Sequence, residues 1–363
     1  MSIFSQEINE NNGRMGVIEI DNKSIVTPTY APTKNEFVAL ANTEGIEKKD
    51  YKKAKIGEYV CWLNNEQLTN LKNKDGTYNS KKASFKAELK NIDASTKIIH
   101  YNFFEDVKTI DIDQLEILLD LQFDSGADVI QIPNLNKDYD YAKAIEKALA
   151  WKIGKNIDNP LMGIICKRTD LEILKKRTKS VESIGINLSP FNKPLLIGVK
   201  NKLKMEDVWI HGISAPIRYP LSEGTLGILI NYYGIDTISS YVMNWRSAQG
   251  YGGKIAKMTD VELANNVLTN KYFKPTDYGT PTFNELIENY GDNYKLSNFC
   301  NCPVCNNITI QNILDKPYSV TDTNRSHKVI SFINEGLTYQ NKLKNNETSE
   351  YINSKSHAKN IIK

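Results

Sequence analysis

The sequence predicts an α/β fold built as a (β/α)8 barrel, with an N-terminal β-hairpin and a C-terminal cysteine-rich subdomain. Three observations support this prediction. From Lys97 onward, short apolar runs alternate with longer amphipathic stretches, as in a parallel sheet with helical crossovers. Two β-rich runs followed by prolines stand near the start of the chain. Three of the five cysteines lie within six residues near its end.

Length and composition permit a sizeable core, in one large domain or two ordinary ones. The chain has 363 residues, of which 40% are hydrophobic and 25% are charged, and its net charge is +3. This balance neither requires nor excludes nucleic acid, because a basic patch can exist in a nearly neutral protein. The first residues are polar, and no apolar run reaches the ~18 residues of a membrane helix. We therefore expect a cytoplasmic protein whose thiols stay reduced.

The N-terminal segment predicts a β-hairpin. In GRMGVIEIDNKSIVTPTYAPTKN (13–35), two β-rich runs flank the turn Asp21-Asn22, and prolines follow. Residues 338–363 are polar and rich in lysine and asparagine, which predicts a surface helix or a loose tail. The predicted divisions are the hairpin segment 1–35, the barrel 36–290, the cysteine-rich subdomain 291–337 and the polar tail 338–363.

Seven apolar runs indicate strands of the barrel, and helical patterns lie between several of them. The candidate strands cover 97–104, 128–134, 161–168, 183–190, 195–200, 208–214 and 234–242. The clearest helical patterns cover 112–126, 141–154 and 171–183. With one more strand expected in 36–90, the count favours a (β/α)8 barrel. The rival is an open doubly wound sheet, which usually carries a glycine-rich phosphate loop that this sequence lacks.

Polar residues stand at the ends of several predicted strands, where a barrel places its chemistry. They include His100, Asn134, Cys166, Asn187, His211, Asp236 and Ser239. Each has a simpler interpretation as a loop residue that satisfies backbone groups. The strand ends alone therefore specify no reaction.

The stretch SNFCNCPVCNN contains the motif C-x-C-x-x-C. Its cysteines are Cys300, Cys302 and Cys305. Three closely spaced thiolates can bind one tetrahedral zinc ion and leave one corner open. His327 lies where an apolar helical pattern begins, and we expect it to be the fourth ligand. Four protein ligands would make a structural site, and the alternative is three free thiols and a core histidine.

A barrel that carries C-x-C-x-x-C and a downstream histidine resembles the tRNA-guanine transglycosylases and their DNA-modifying relatives. The opening GRMGVIEIDNKSIVTPTYAPT is similar to the family's Gly-Arg-x-Gly hairpin, which is followed by Thr-Pro-x-x-x-Pro. IHGISAP (210–216) and YGIDTISSYV (233–242) are similar to two of its strand segments, and FCNCPVCNN matches its zinc element. The similar segments cover most of the chain, and the zinc motif is the specific one.

The resemblance implies a base exchange in DNA or tRNA, in which guanine leaves a nucleoside and a 7-deazaguanine derivative replaces it. It also implies a structural zinc ion and a homodimer. The reaction needs a carboxylate nucleophile, a second acid–base carboxylate and groups that bind the edge of the base. Near the zinc element, Lys316, Arg325 and Lys328 are candidates for phosphate contacts, or they form a solvated charged face.

The family's catalytic residues do not carry over directly. Ser239 stands at the nucleophile position, and Asp236 is the nearest carboxylate. His100 lies on the strand that corresponds to the family's acid–base aspartate, and Asn134 and Cys166 correspond to base-binding positions. We therefore expect a divergent enzyme with Asp236 and His100 as catalytic residues and Asn134 and Cys166 as substrate-binding residues. The alternative is a non-catalytic subunit that binds nucleic acid or pairs with an active paralogue.

Overall fold

The fold comes from a computed structural model, which describes most of the chain. The described residues are 4–9, 13–73, 75–135, 139–189, 192–203, 206–215, 220–221, 224–243, 247, 249, 257–306, 308–316 and 319–359.

The chain begins with a three-stranded antiparallel sheet. Its strands, in the order β1-β2-β3, are β1 (Phe4–Asn9), β2 (Gly13–Ile20) and β3 (Lys23–Thr27). The turn between β2 and β3 places Asp21 at φ 47° and Asn22 at φ 64°, the left-handed region that these two residue types tolerate in tight hairpins. The predicted hairpin is confirmed, and one further strand extends it.

A parallel sheet forms the centre of the fold. The later strands are β4 (Thr29–Tyr30), β5 (Ile56–Leu63), β6 (Thr96–Phe103), β7 (Ile130–Ile132), β8 (Leu161–Ile165), β9 (Ser183–Asn187), β10 (Trp209–Ala215), β11 (Pro220–Leu221), β12 (Gly224–Thr225) and β13 (Thr237–Ser240). Six of them form a parallel sheet in the order β4-β13-β10-β9-β8-β7, β5 and β6 form a parallel pair, and β11 and β12 a short antiparallel one. Single parallel bridges join Thr33 to Glu58 and Ile98 to Val129. The predicted α/β fold with a parallel sheet is confirmed.

Helices follow most of the strands and then form the C-terminal part. They are α1 (Lys34–Asn42), α2 (Lys48–Tyr51), α3 (Asn65–Asn73), α4 (Asp75–Lys90), α5 (Ile112–Ser125), α6 (Tyr141–Lys155), α7 (Arg168–Lys175), α8 (Lys193–Leu203), α9 (Asp260–Leu268), α10 (Phe283–Tyr290), α11 (Ile310–Leu314), α12 (Val320–Lys344) and α13 (Thr348–Ser354). Short 3₁₀ helices cover Gly227–Tyr233 and Leu296–Asn298. No helix in the described ranges is long and apolar enough to span a membrane.

The strand predicted at 195–200 is wrong, because these residues lie in α8. The apolar residues Leu195, Leu196, Val199 and Leu203 are buried, and their spacing of one, three and four is that of one helix face. A short apolar run does not by itself distinguish a buried strand from a helix. Two further parallel strands are β5, within the expected range 36–90, and β4, which lies inside the predicted hairpin segment 1–35.

The antiparallel sheet packs its apolar face against the parallel strands. Ile18 and Ile25 belong to a buried cluster that also contains Ile56, Ile98 and Trp209. A larger apolar core includes residues from strands and helices along most of the chain. A charged side chain that lies against the cluster of Ile18 and Ile25 is therefore removed from water. Its contacts with neighbouring polar groups indicate whether it has a structural or a functional role.

The C-terminal residues pack onto the rest of the molecule. Helix α12 continues through the predicted division at 338, and Tyr339, Leu343 and Tyr351 are buried. A Cβ atom added to Gly13 would collide with the side chain of Leu343. The end of α12 therefore fits closely against the first residue of β2.

Candidate functional site

The structure brings together the four residues predicted to bind a metal. One ligand atom from each of Cys300, Cys302, Cys305 and His327 lies within 4.8 Å of the others. A tight turn creates the cysteine part, since the Cys305 and Asn306 amides donate to the Cys302 carbonyl at 3.0 and 3.1 Å. The C-x-C-x-x-C spacing thus forms the cluster through local backbone geometry.

His327 is oriented by contacts on both sides of its ring. Its Nδ1 lies 3.1 Å from the Cys305 sulfur and 3.4 Å from the Cys302 sulfur. Its Nε2 lies 2.7 Å from the Phe273 carbonyl oxygen, which can only accept, so Nε2 carries a proton. Tyr272 stacks on the ring at 4.3 Å. A backbone partner that fixes the ring and leaves the other nitrogen for the metal is the usual arrangement at a metal-binding histidine.

The chemistry of the donors fits a four-coordinate metal. Four ligands at about 2.3 Å from a tetrahedral zinc ion lie roughly 3.8 Å from one another, close to the separations found here. Burial opposes protonation of His327, but hydrogen bonds with Cys300 and Cys302 raise its pKa to about 10. A metal therefore competes with protons for this cluster, and its affinity weakens as the pH falls.

A buried ion pair attaches helix α12, which carries His327, to Glu36 of α1 beside the parallel sheet. The Lys328 ammonium lies 2.6 Å from Glu36 Oε1, which also accepts from the Tyr30 and Ser240 hydroxyls at 2.7 Å. The other oxygen, Oε2, accepts from the Thr33 amide at 2.8 Å. Burial opposes ionisation, yet Lys328 and these donors lower the pKa of Glu36. Lys328 therefore holds helix α12 to the ends of β4 and β13, and this buried contact takes it away from the phosphate role considered for it.

Asp236 lies at the opposite end of its strand from the expected position. It precedes β13 and forms an ion pair with Arg14 at 3.0 Å, with both side chains fully buried. The Ile210 amide donates to its other oxygen at 2.7 Å. Burial raises the pKa of Asp236 to about 7 against the opposing charge of Arg14. The predicted strand-end position is wrong, because residues 237–240 form the strand, and these contacts favour a structural role.

A buried polar cluster faces the inner core from four different strands. Glu58, on β5, lies 3.8 Å from His211 Nε2 on β10. Burial would raise the pKa of Glu58, but His211, His100 and Ser239 together lower it. His211 Nδ1 also lies 2.7 Å from the Thr237 hydroxyl. A carboxylate, two imidazoles and a hydroxyl from β5, β6, β10 and β13 are therefore brought together.

Several atoms of this cluster lack hydrogen-bond partners among the described residues. They are both carboxylate oxygens of Glu58, Nδ1 of His100, Nε2 of His211 and Oγ of Ser239. His100 is held through its other nitrogen, 3.0 Å from Asn102 Oδ1. Unpaired buried polar groups cost about 1–3 kcal/mol each, so their concentration in one place indicates a site that a polar group of a ligand or water can complete.

The sequence-based prediction included His100, His211 and Ser239 but missed Glu58. The only signal was a glutamate in the otherwise apolar strand IGEYVCWL. Charged residues are almost never fully buried unless they are paired or functional, so this position was detectable in principle. Of the two residues predicted to be catalytic, His100 belongs to the Glu58 cluster, whereas Asp236 pairs with Arg14.

Asn134 and Cys166 lie together at the ends of β7 and β8. Asn134 donates to the Ile164 carbonyl at 2.8 Å and to Asp170 Oδ2 at 2.9 Å. Asp170 Oδ2 also accepts from the Cys166 and Lys167 amides at 3.0 Å. The remaining oxygens, Oδ1 of Asn134 and Oδ1 of Asp170, are buried and lack partners among the described residues. These two oxygens are buried hydrogen-bond acceptors that the described residues leave unsatisfied.

The thiol of Cys166 is not an activated nucleophile. Burial and the nearby Asp170 carboxylate raise its pKa to about 12. Asp170 is not among the predicted site residues, although it is the third residue of α7, a position where an acidic side chain caps a helix. Any contribution of Cys166 to binding would therefore be as a neutral group.

Neither a known family model nor a curated protein matches the chain.

Proposed function

We propose that the eight parallel strands β4–β10 and β13 close into a (β/α)8 barrel. The two isolated bridges support this, because they connect the β5–β6 pair to β4 on one side and to β7 on the other. Backbone hydrogen bonds accompany them, from Glu58 N to Pro32 O at 3.0 Å and from Asp128 N to Lys97 O at 2.9 Å. In such a barrel, the carboxyl ends of the strands form the usual ligand-binding mouth, and Glu58, the third of the eight residues of β5, lies below that mouth in the interior.

The metal in this proposal is a structural zinc ion. Three thiolates and one imidazole are a typical structural zinc set, and with all four corners occupied by protein no position remains for a substrate. The ion would join the 300–305 turn to helix α12 and supply folding free energy to that region.

The proposed activity is a base exchange in DNA or tRNA, in which guanine is replaced by a 7-deazaguanine derivative. The observation that supports catalysis is the Glu58 carboxylate, held among His100, His211 and Ser239 on the inner side of the strands. Asn134 and Asp170 would accept hydrogen bonds from the edge of the base. Glu58 takes the place of Asp236 as the proposed catalytic carboxylate, because Asp236 forms an ion pair with Arg14.

The residues can supply the charges and protons that this exchange needs. As the bond from C1′ to the guanine nitrogen breaks, its electron pair leaves with the base, and the Glu58 carboxylate stabilises the positive charge on the sugar. An imidazole of the cluster, His100 or His211, passes a proton to the leaving base. The incoming base attacks C1′ and returns a proton to the imidazole, so that protons and electrons balance.

Labelled guanine offered to the protein with DNA or tRNA tests this function. The wild type should incorporate the label, and Glu58→Gln should lower the rate by about 10² or more, as loss of a catalytic charge does. Glu146→Gln is the control, because Glu146 is an exposed carboxylate on α6. Equal rates for the two variants would contradict the role of Glu58.

The alternative function is a non-catalytic subunit that binds nucleic acid or an active paralogue. Ser239 at the nucleophile position and the Asp236–Arg14 ion pair favour this alternative. It predicts nucleic-acid binding without incorporation of label by any variant. A homodimer or a heterodimer is compatible with either function and would be measured by light scattering.

A further inference from the structure

A separate cavity lies beside the carboxyl ends of β4, β5 and β13. Its volume is about 300 Å³, at the lower end of the range for small-molecule sites. It extends between the outer side of β5 and the helices that flank that strand, with Cys61, Trp62 and Lys81 in its lining. Asn134 and Asp170, at the ends of β7 and β8, do not line it.

Lys81 is the cation in this cavity that no described carboxylate neutralises. It is half-buried on α4, its ammonium lies 5.2 Å from the centre of the Phe85 ring, and no ion pair involves it within the described ranges. The other lysine of the lining, Lys34, is already paired with Glu88 at 2.7 Å. The Lys81 charge is therefore available to an anionic ligand.

The neighbouring thiol does not neutralise this charge. Burial raises the pKa of Cys61, although Lys81 opposes the effect. Cys61 is therefore a neutral thiol at physiological pH.

Aromatic and apolar side chains form the part of the lining nearest the strand ends. Trp62 is half-buried, its indole N–H donates to the Val242 carbonyl at 3.3 Å, and its ring lies 5.4 Å from that of Phe104. Met243, which follows β13, is 45% exposed. A planar ring can stack on such a surface, and base–aromatic stacking tolerates every base.

We propose that this cavity binds one nucleotide of a single-stranded nucleic acid, with its phosphate on Lys81 and its base against Trp62. The volume admits a single nucleotide and excludes a duplex. The inference rests on the proposed function for its choice of nucleic acid, since a base that leaves its stack for exchange places its neighbours in single-stranded form.

The test is the binding of a fluorescein-labelled ten-nucleotide single strand, as DNA and as RNA of the same sequence, measured by fluorescence anisotropy over a series of salt concentrations. Lys81→Gln should weaken binding about tenfold and reduce the slope of log affinity against log salt by about 0.7, the value for one lost phosphate contact on a single strand. Lys86→Gln is the matched control, because Lys86 lies on the same helix and is exposed.

Equal affinity and equal salt slope for the two variants would overturn the inference. Trp62→Phe gives a second measurement: it should keep binding but abolish any quenching of tryptophan fluorescence by the oligonucleotide, and unchanged quenching would also count against the proposed placement. The outcomes distinguish this site from the proposed function. Binding that depends on Lys81, without incorporation of labelled guanine, would refute the base exchange but not the nucleotide site. Incorporation that Lys81→Gln leaves unchanged, with unchanged binding, would refute the nucleotide site alone.

Discussion

At the scale of single residues, the two buried carboxylates Asp236 and Glu58 differ in their partners. Asp236 has a guanidinium at 3.0 Å and a backbone amide at 2.7 Å. The Glu58 carboxylate has imidazoles nearby, and neither of its oxygens accepts a hydrogen bond from the described residues. A close ion pair with a guanidinium is typical of a structural charge, whereas a buried carboxylate among several titratable side chains is typical of functional sites.

Arg14→Met should therefore destabilise the protein without altering the chemistry of the molecules that remain folded. Removal of one partner leaves Asp236 buried and unpaired, which costs about 3–5 kcal/mol. The free energy of unfolding in urea checks this value. Lys48→Met, at the exposed pair with Asp93, should change it little. A stable Arg14→Met protein would show that Asp236 does not depend on this ion pair.

The metal ligands give a second prediction at this scale. Cys302→Ser should reduce the zinc content measured by elemental analysis from about one ion per chain to nearly none, because serine does not offer a thiolate. Cys166→Ser, a change of the same kind outside the cluster, should keep the full zinc content. Zinc retained by Cys302→Ser would exclude this residue as a ligand.

At the scale of secondary-structure elements, helix α12 depends on the ionisation of Glu36. The pKa of Glu36 is lower in the folded protein than its usual value, so the folded state holds fewer protons than the unfolded state in the interval between the two pKa values. The contribution of Glu36 to the free energy of unfolding is complete above its pKa in the unfolded chain. It is lost as the pH falls through its pKa in the folded protein.

Glu36→Gln should consequently cost about 3–5 kcal/mol at pH 7, where it leaves Lys328 without its partner. The difference from wild type should shrink as the pH falls below the range of an ordinary glutamate. Urea unfolding of both proteins at pH 7 and at about pH 3, below the usual glutamate pKa, measures this difference, and any loss of metal at low pH affects both proteins. A difference that stays constant with pH would show that the charge of Glu36 does not contribute.

The sequence predicted elements well where the signal was local. The cysteine spacing specified the turn, and the alternation of apolar and amphipathic runs specified β6 to β10. It failed at 195–200 because a six-residue apolar run fits both a strand and one face of a helix. It missed Glu58 and Asp170 because their importance depends on which neighbours the topology brings near them. That information lies in contacts between distant parts of the chain, such as His211 beside Glu58.

At the scale of the whole molecule, removal of the metal should act on more than the cysteine turn. Helix α12 carries His327, the Lys328 contact to the sheet and the buried Leu343 beside Gly13. A chelator should therefore lower the melting temperature measured by calorimetry and the cooperativity of unfolding, since metal-binding energy is folding energy here. The melting temperature of Cys302→Ser should not respond to the chelator. An unchanged wild-type melting temperature, with the metal shown to be removed, would indicate an independent cysteine subdomain.

The adjacency of His327 and Lys328 restricts how this protein can vary. Successive residues of an α-helix point about 100° apart, so the cysteine cluster and Glu36 must lie at a fixed angle around the axis of α12. A one-residue insertion between the two positions would rotate one side chain away and leave either the three cysteines without His327 or the Glu36 carboxylate without Lys328. Related chains should therefore tolerate length changes before Ser319 or after Lys344 more readily than any change of register between these two residues.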